Sequence, residues 1–413
     1  MTIFLLLALV SAVVTFGASI VVYKVSHKFR LYPKIRERDV HTRPTPRLGG
    51  IAMFLGIMVA FGVAYLASSQ FAPLRLVFSN PTQILAILGA ALLIVAIGVA
   101  DDLWDLDWMT KLAGQFIAAG LVAWQVQILS LPIGGLTVGS GWMSIVITVM
   151  AIVITMNMIN FIDGLDGLVA GVALIANGAF FLYSYLLVRD TSPTNYFNLA
   201  SLIAAILVGA CAGFLPLNWR PAKLFMGDAG ALLVGLLMAT SAIAITGQID
   251  PTAVNRSQLF PAFIPILLPV AILIIPLLDF GLAVFRRVQA GKSPFSADRK
   301  HLHHRLLDMG HSHLHAVLIF YSWTAAASIG CLLYFVLPVY FGLPTWYASI
   351  FLVVSLLACT IVTLAPLSRR KAAEAATQLT PEPREGAPIT PFDAGAGFDP
   401  LDKASTLTED TNE

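Results

Sequence analysis

The chain contains 413 residues, of which 58% are hydrophobic and only 12% are charged, and its formal net charge is +2. Because soluble domains contain about 25% charged residues, this composition excludes an ordinary soluble protein and indicates an integral membrane protein. We expect a membrane and no nucleic acid among its partners. The three cysteines have no paired spacing, so we predict neither a disulfide nor a cysteine metal site.

Apolar runs of spanning length follow one another along the chain and predict an all-α polytopic membrane protein with about eleven transmembrane helices. The runs fall near residues 3–23, 49–67, 82–100, 111–129, 142–160, 168–188, 198–217, 229–247, 260–284, 316–338 and 345–366. The first run has no basic residue before it and is too long for a signal-peptide core, so we expect it to remain as a span. We therefore assign residues 1–367 to a transmembrane domain and residues 368–413 to a disordered tail.

The distribution of basic residues predicts the orientation of the chain. With the N-terminus outside, every lysine and arginine except Arg75, Arg189 and Arg256 falls in a loop or tail on the inside. Cytoplasmic loops carry an excess of these residues in membrane proteins. We therefore expect the N-terminus outside and the C-terminal tail in the cytoplasm.

Five polar clusters interrupt the apolar runs, and all of them fall on the predicted cytoplasmic side. They span residues 43–50, 101–107, 157–167, 218–228 and 301–304. Ionisable residues next to lipid are costly and tend to be functional. Convergent acids at one membrane face therefore predict a site for a metal ion and phosphates.

Asp101 and Asp102 end the third predicted span. Adjacent carboxylates at a helix C-terminus repel each other and meet the negative end of the helix dipole. We therefore expect a compensating positive charge, for which a divalent cation with phosphates is a candidate and Lys111 is another. Asp105 and Asp107 are interpreted as solvated loop acids and as N-cap candidates for the next helix.

The cluster at residues 157–167 contains two asparagines, two aspartates and two glycines. Asn157 and Asn160 lie three residues apart and hence on one helix face, which Asp163 would extend if the helix continued that far. A turn between two helices would explain the glycines, but it would not explain the asparagines. We therefore interpret this polar stripe as functional.

The cluster at residues 218–228 leads into the eighth predicted span. Asp228 is interpreted either as a cap of that helix or as an acid that holds a metal beside phosphates, since a helix start favours anions. His301, His303 and His304 are interpreted either as part of a basic membrane-facing patch or as groups for phosphate binding and proton transfer.

Together these five motifs, which occur in order over about residues 40–310, resemble the polyprenyl-phosphate N-acetylhexosamine-1-phosphate transferases. Members of this family move a phosphosugar from a UDP-sugar to a polyprenyl phosphate and release UMP in a Mg²⁺-dependent reaction. The resemblance implies a helical membrane bundle, often a homodimer, whose catalytic domain is residues 1–367. It also implies an inner or plasma membrane location, an active site facing the cytoplasm, and the first membrane step of cell-wall or other cell-envelope glycan biogenesis.

By the same resemblance, Asp101 and Asp102 match the catalytic acid pair, and together with Asp228 they match ligands of Mg²⁺, for which Mn²⁺ is an alternative. The predicted catalytic residues also include His301, His303 and His304. The predicted substrate-binding residues are Thr45, Lys111, Asn157, Asn160, Asp163, Asp166, Asn218 and Phe225. Among these, Phe225 is expected to stack on the uracil ring.

The last motif separates two branches of the family. The branch that uses UDP-MurNAc-pentapeptide carries three consecutive histidines there, whereas this chain has His301-Leu-His303-His304. This difference favours UDP-GlcNAc as the donor, with UDP-MurNAc-pentapeptide or another UDP-N-acetylhexosamine as the alternative. An ion-coupled transporter is a remote alternative, because transporter sites lie near the bilayer midplane and the acids here lie at predicted helix ends.

Overall fold

The structure is a computed structural model, which describes residues 1–32, 45–127, 141–191, 197–246, 288–289, 291, 306–307 and 309–379. The regular elements in these ranges are helices. They are α1 (Thr2–Lys28), α2 (Gly49–Ala67), α3 (Ala72–Val77), α4 (Pro81–Trp104), α5 (Trp108–Ala123), α6 (Gly141–Ile162), α7 (Leu168–Thr191), α8 (Phe197–Asn218), α9 (Gly227–Thr246), α10 (His313–Phe341) and α11 (Trp346–Leu379). The predicted all-α class is confirmed for this part of the chain.

Nine helices among the described residues are long and apolar enough to cross a membrane, so the prediction of a multi-pass membrane protein is confirmed. Each coincides with one of the predicted spans. The span predicted at 111–129 corresponds to α5, whose 16 residues extend about 24 Å at 1.5 Å per residue, less than the hydrocarbon thickness of about 30 Å. The span predicted at 260–284 lies outside the described residues, so the count of eleven stays a prediction, as does the orientation.

The chain divides into two compact units, Met1–Pro366 and Leu367–Glu413. Helix α11 begins in the first unit and continues to Leu379. The predicted disordered tail, residues 368–413, is therefore helical in the part that the structure describes. The remainder of that tail, residues 380–413, lies outside the described residues.

Helix α9 is the most enclosed of the spans that the structure describes, since 94% of its most apolar window is buried, whereas the same measure is 6% for α11. Helix α9 packs against α4, α6, α8 and α2. Apart from Ala242, which is 8% exposed, its buried apolar side chains are at most 5% exposed. The first turn of α9 is therefore held by neighbours on several sides, and this turn carries Asp228.

Small residues bring the ends of three helices together around that first turn. A side chain at Gly50 of α2 would collide with Ala229 and Gly230 of α9, and a side chain at Gly98 of α4 would collide with Ala229. Small residues at helix interfaces of membrane proteins allow the backbones to approach closely. The C-terminal end of α4 and the N-terminal ends of α2 and α9 therefore converge on one point.

Candidate active site

A lysine and two carboxylates form the charged centre of this convergence. The Lys111 ammonium group lies 2.9 Å from Oδ2 of Asp101 and 3.3 Å from Oδ2 of Asp228. The side chains of Lys111 and Asp228 are each 26% exposed, and that of Asp101 is 8% exposed. One cation is thus shared by two acids that are far apart in the sequence, and the group remains open to solvent on one side.

The short connection between α4 and α5 brings Lys111 next to Asp101. Asp105 ends α4 in a left-handed conformation with φ 55°, and the backbone N–H of Leu106 donates to Oδ1 of Asp101 over 2.9 Å. Asp107 then caps α5, because its carboxylate accepts from the backbone N–H of Thr110 over 3.0 Å. The expected N-cap role is confirmed for Asp107, whereas Asp105 is the C-cap of the preceding helix.

Asp102 has a different environment from its neighbour Asp101. Its two carboxylate oxygens accept from the backbone N–H groups of Asp228 and Ala229, over 3.3 and 3.5 Å. These N–H groups belong to the first turn of α9, where helical N–H groups have no partner within the helix. Asp102 therefore caps α9 from a neighbouring helix, and Asp228, the second residue of α9, does not cap the helix by itself.

The turn before α9 requires glycine at position 227. Gly227 has φ +69°, a conformation that side chains disfavour. A Cβ atom there would also collide with the Arg47 carbonyl oxygen and with the Asp102 carboxylate. The absence of a side chain lets Asp102 reach the backbone of Asp228.

The donor set of the charged centre fits a magnesium ion held partly by substrate. Mg²⁺ prefers oxygen ligands and is usually held by one or two carboxylates together with substrate phosphates. Asp101 and Asp228 already converge on one cation, whereas Asp102 is directed to the backbone of α9. Among the described residues, no group of three or more histidine, cysteine, aspartate or glutamate side chains is arranged to hold a metal ion. A two-carboxylate site is therefore the arrangement that these residues support.

The segment before α2 pairs with the loop before α9. The backbone N–H of Phe225 donates to the Pro46 carbonyl over 2.8 Å, and those of Gly49 and Gly50 donate to the carbonyls of Phe225 and Met226, each over 2.9 Å. This pairing brings Thr45, which precedes Pro46, to the same loop. The Phe225 backbone is held on both sides while its side chain stays partly exposed.

A second polar group lies where the turn between α6 and α7 meets the end of α8. Asn218 is 4% exposed; its Oδ1 accepts from the Gly167 N–H over 3.1 Å, and its Nδ2 donates to the Leu224 carbonyl over 3.0 Å. Oδ2 of Asp166 accepts from the backbone N–H of Ala222 over 3.2 Å. Asn218, predicted to bind substrate, thus uses both ends of its side chain to join two loops.

The predicted polar stripe of α6 ends earlier than the spacing suggested. Helix α6 stops at Ile162, so Asp163 lies in the following turn, where its N–H donates to the Asn160 carbonyl over 3.3 Å. Asn157 donates to the Gln115 side chain of α5 and to the Val153 carbonyl. Asn157 therefore links α6 to α5, and Gln115 is a polar partner that sequence reasoning missed because it stands alone in an apolar run.

A small, partly open cavity adjoins the turn between α6 and α7. It is lined by Asp166, Trp219, Arg220, His313, Leu314 and Val317. His313 is the first residue of α10. His301, His303 and His304, which were predicted near the phosphates, lie outside the described residues.

Known proteins resemble this chain in sequence. Residues 84–246 match the model of glycosyl transferase family 4. The decaprenyl-phosphate N-acetylglucosaminephosphotransferase of Mycobacterium leprae is 42% identical over 79% of this chain and 82% of the relative. The protein of the same name from Mycolicibacterium smegmatis is 40% identical over 88% and 89%. A probable undecaprenyl-phosphate N-acetylglucosaminyl 1-phosphate transferase of Bacillus subtilis is 32% identical over 73% and 76%.

Proposed function

This chain belongs to the polyprenyl-phosphate N-acetylhexosamine-1-phosphate transferases of glycosyl transferase family 4, and we propose that it transfers GlcNAc-1-phosphate from UDP-GlcNAc to a polyprenyl phosphate. The products are polyprenyl-diphosphate-GlcNAc and UMP. The observation that carries the proposal is the shared Asp101–Lys111–Asp228 centre in a chain whose relatives carry the name of this activity. UDP-MurNAc-pentapeptide remains the alternative donor that the test must compare.

The reaction joins two anions, so the site must offset their repulsion. At neutral pH the acceptor phosphate is largely dianionic, since the second pKa of a phosphate monoester is about 6. Phosphoryl transfer is promoted mostly by positioning and charge stabilisation. Lys111, which contacts two carboxylates in the free protein, would exchange one of these partners for a phosphate oxygen when substrates bind.

Asp101 and Asp228 are the residues that would hold Mg²⁺, and Mn²⁺ is an alternative. Bound there, the ion would neutralise charge on the diphosphate and orient it. Asp101 and Asp228 suit this role because both carboxylates already contact the same positive charge, the Lys111 ammonium group. Asp102 contributes indirectly, since it caps the turn that carries Asp228.

We propose direct transfer, and a two-step route through an aspartyl-phosphate is the alternative. An oxygen of the lipid phosphate forms a bond to the β-phosphorus of UDP-GlcNAc, and the bond from that phosphorus to the bridging oxygen breaks. The bridging oxygen keeps the bonding electron pair and leaves as part of UMP. Asp101 or Asp102 accepts a proton when the acceptor binds as the monoanion, and Lys111 offsets the charge that develops on the leaving phosphate.

The donor nucleotide is proposed to lie across the loops at residues 163–167 and 218–226. The partly exposed Phe225 side chain provides a flat apolar surface for uracil, and the cavity beside Asp166 provides a carboxylate, an indole ring and a guanidinium group. Aromatic stacking binds nucleobases without requiring a particular hydrogen-bond pattern. The rigid backbone pairing at Phe225 lowers the entropic cost of presenting the ring.

The activity can be tested with purified protein, Mg²⁺, UDP-GlcNAc and decaprenyl phosphate, the lipid in the names of the mycobacterial relatives. UMP and a lipid-diphosphate-GlcNAc should form together, and a chelator should abolish both. UDP-MurNAc-pentapeptide should be a far poorer donor. Formation of UMP only with the muropeptide nucleotide would assign the chain to the other branch, and no UMP with either donor would refute the reaction.

The active site is proposed to face the cytoplasm of the inner or plasma membrane, where the enzyme would begin the assembly of a cell-envelope glycan. The proposal is supported by the excess of lysine and arginine in the loops predicted to face the cytoplasm. A cysteine at Ala222 should react with a membrane-impermeant thiol reagent only from the cytoplasmic side. The native cysteines give a low background, because all three are buried. Labelling of this cysteine from outside intact cells would show that the orientation is the reverse of the proposed one. A homodimer stays a prediction.

A further inference from the structure

Tyr321 of α10 reaches a backbone group of the turn that carries Asp166. Its hydroxyl donates to the carbonyl oxygen of Gly167 over 2.5 Å. Its ring occupies the space beside Gly171, where a side chain would collide with it. It also lies against Trp219, with the ring centroids 6.5 Å apart. Tyr321 lies outside the 84–246 region that matches the family model, and no sequence motif pointed to it.

Gly167 is held from two directions. Its N–H donates to Asn218, and its carbonyl oxygen accepts both from Tyr321 and from the Gly171 N–H, which is the first hydrogen bond of α7. Gly167 has φ +76°, so the chain reverses sharply at this residue. With both peptide groups engaged, the turn has one orientation, and Asp166 directly precedes the point at which it is held.

The contacts around Asp166 extend this arrangement to the second donor loop. The Asp166 carboxylate accepts from the backbone N–H of Ala222 and lines the cavity together with Trp219 and His313. His313, Val317 and Tyr321 are spaced by four residues and therefore share one face of α10. The face of α10 that forms a wall of the cavity thus also holds the adjoining turn.

We propose that Tyr321 is a positioning residue for the donor nucleotide, which acts by fixing Gly167 and thereby the Asp166 carboxylate and the loop of Trp219. The proposal rests on the proposed function, since it assumes that UDP-GlcNAc occupies this side of the site. Removing the hydroxyl leaves the Gly167 carbonyl with its helical partner only, so the turn gains freedom that donor binding must then remove. The effect should therefore fall on donor affinity and not on the charged centre around Lys111.

The test compares Tyr321→Phe with Tyr334→Phe. Tyr334 lies on the same helix, and its hydroxyl also makes one interhelical hydrogen bond, to the Ser349 hydroxyl over 2.7 Å. Each substitution removes one hydroxyl group, so the pair separates an effect on the donor site from a general effect of weakening α10. The measurements are KM and kcat for both substrates, the Kd of UDP-GlcNAc by calorimetry without lipid, and Tm.

Tyr321→Phe should raise the KM and Kd for UDP-GlcNAc by about three- to tenfold, the range expected for one hydrogen bond. The KM for the lipid and kcat should change by less than about twofold. Tyr334→Phe should leave the KM and Kd for UDP-GlcNAc unchanged while lowering Tm by about as much as Tyr321→Phe does. Equal donor constants in wild type and Tyr321→Phe, or a loss confined to Tm and kcat, would overturn the positioning role.

Failure of the proposed function gives a different result. A wild-type protein that neither binds UDP-GlcNAc in calorimetry nor releases UMP from it would overturn the function and this inference together. An active wild type with an unaffected Tyr321→Phe variant would overturn the inference alone.

Discussion

Two clusters of polar residues at helix ends, the charged centre around Lys111 and the junction around Gly167, have different roles in this apolar helical protein. In the charged centre, Lys111 and Asp228 are each 26% exposed, and Lys111 makes ionic contacts with both Asp228 and Asp101. In the junction around Gly167, Asn218 is 4% exposed and both ends of its side chain are used within the protein. The charged centre can exchange its partners for substrate groups, whereas the Asn218 side chain is buried and already bonded at both ends.

The difference follows from the cost of burying polar groups. A buried charge is costly unless it is paired, and an unpaired buried amide costs less but still destabilises. Charged side chains that must accept substrate therefore stay partly hydrated, where exchanging one partner for a phosphate is inexpensive. Neutral groups that only hold backbone in place are stabilised by complete burial and complete hydrogen bonding.

Asp228→Asn should produce the largest loss of activity. The isostere keeps the shape of the first turn of α9, whose N–H groups are capped by Asp102, but it removes the charge that faces Lys111. We expect kcat to fall at least about a hundredfold, with Tm nearly unchanged and a weaker dependence on Mg²⁺.

Asp107→Asn is the matched control for that variant, because it removes a nearby exposed carboxylate charge and keeps an oxygen that can accept from Thr110. UMP release and thermal unfolding in detergent would be measured for both. A folded Asp228→Asn protein with wild-type turnover would show that the Asp228 carboxylate is not needed for the reaction.

Phe225→Ala tests the donor loop that lies between the two groups. Base–aromatic stacking contributes about 1–3 kcal/mol, so the KM for UDP-GlcNAc should rise about ten- to a hundredfold while the KM for the lipid stays constant. The main-chain hydrogen bonds of Phe225 are kept. Phe225→Tyr should retain most of the affinity, and a defect confined to the lipid substrate would instead assign Phe225 to membrane anchoring.

Asn218→Ala should mainly reduce stability. It leaves the Gly167 N–H and the Leu224 carbonyl without the Asn218 side chain, and a buried unsatisfied group costs about 1–3 kcal/mol. We therefore expect a clear fall in Tm, measured by thermal unfolding in detergent, in contrast to Asp228→Asn. A large loss of donor affinity without a change in Tm would place Asn218 among the groups that contact substrate.

Asp107→Ala should have the smallest effect, because Asp107 lies in exposed loop. Hydrogen bonds from the Thr110 hydroxyl and backbone N–H lower the pKa of Asp107 from its ordinary value. A lowered pKa in the folded protein means that the carboxylate stabilises the fold above its ordinary pKa, and that this contribution is lost as the pH falls through the lowered pKa. The small Tm difference between wild type and variant at neutral pH should disappear in acid. A constant difference at all pH values would show that the charge of Asp107 plays no part.

The sequence predicted the helices and the residue types of the site, but not which of these residues contact one another. Apolar runs located the described spans because a helix in lipid must satisfy its own backbone and cover about 30 Å. The roles of Asp101 and Asp102 could not be separated, because both are acids in one motif. Tyr321 could not be identified at all, since a tyrosine in an apolar span usually signals packing or an interfacial anchor.

The sequence by itself determined that this protein is a multi-pass helical membrane protein with acids, amides and a lysine at helix ends, because hydrophobicity and residue chemistry are local properties. Only the tertiary structure decided which partner each polar group takes. Successive residues on a helix point about 100° apart, so Asp101 faces Lys111 while Asp102 faces the first turn of α9. Lys111 meets Asp228 across 117 positions of sequence, and Tyr321 meets Gly167 across 154. Such pairings depend on how the helices pack, because small residues such as Gly98 and Gly171 leave space for one neighbour and not for another.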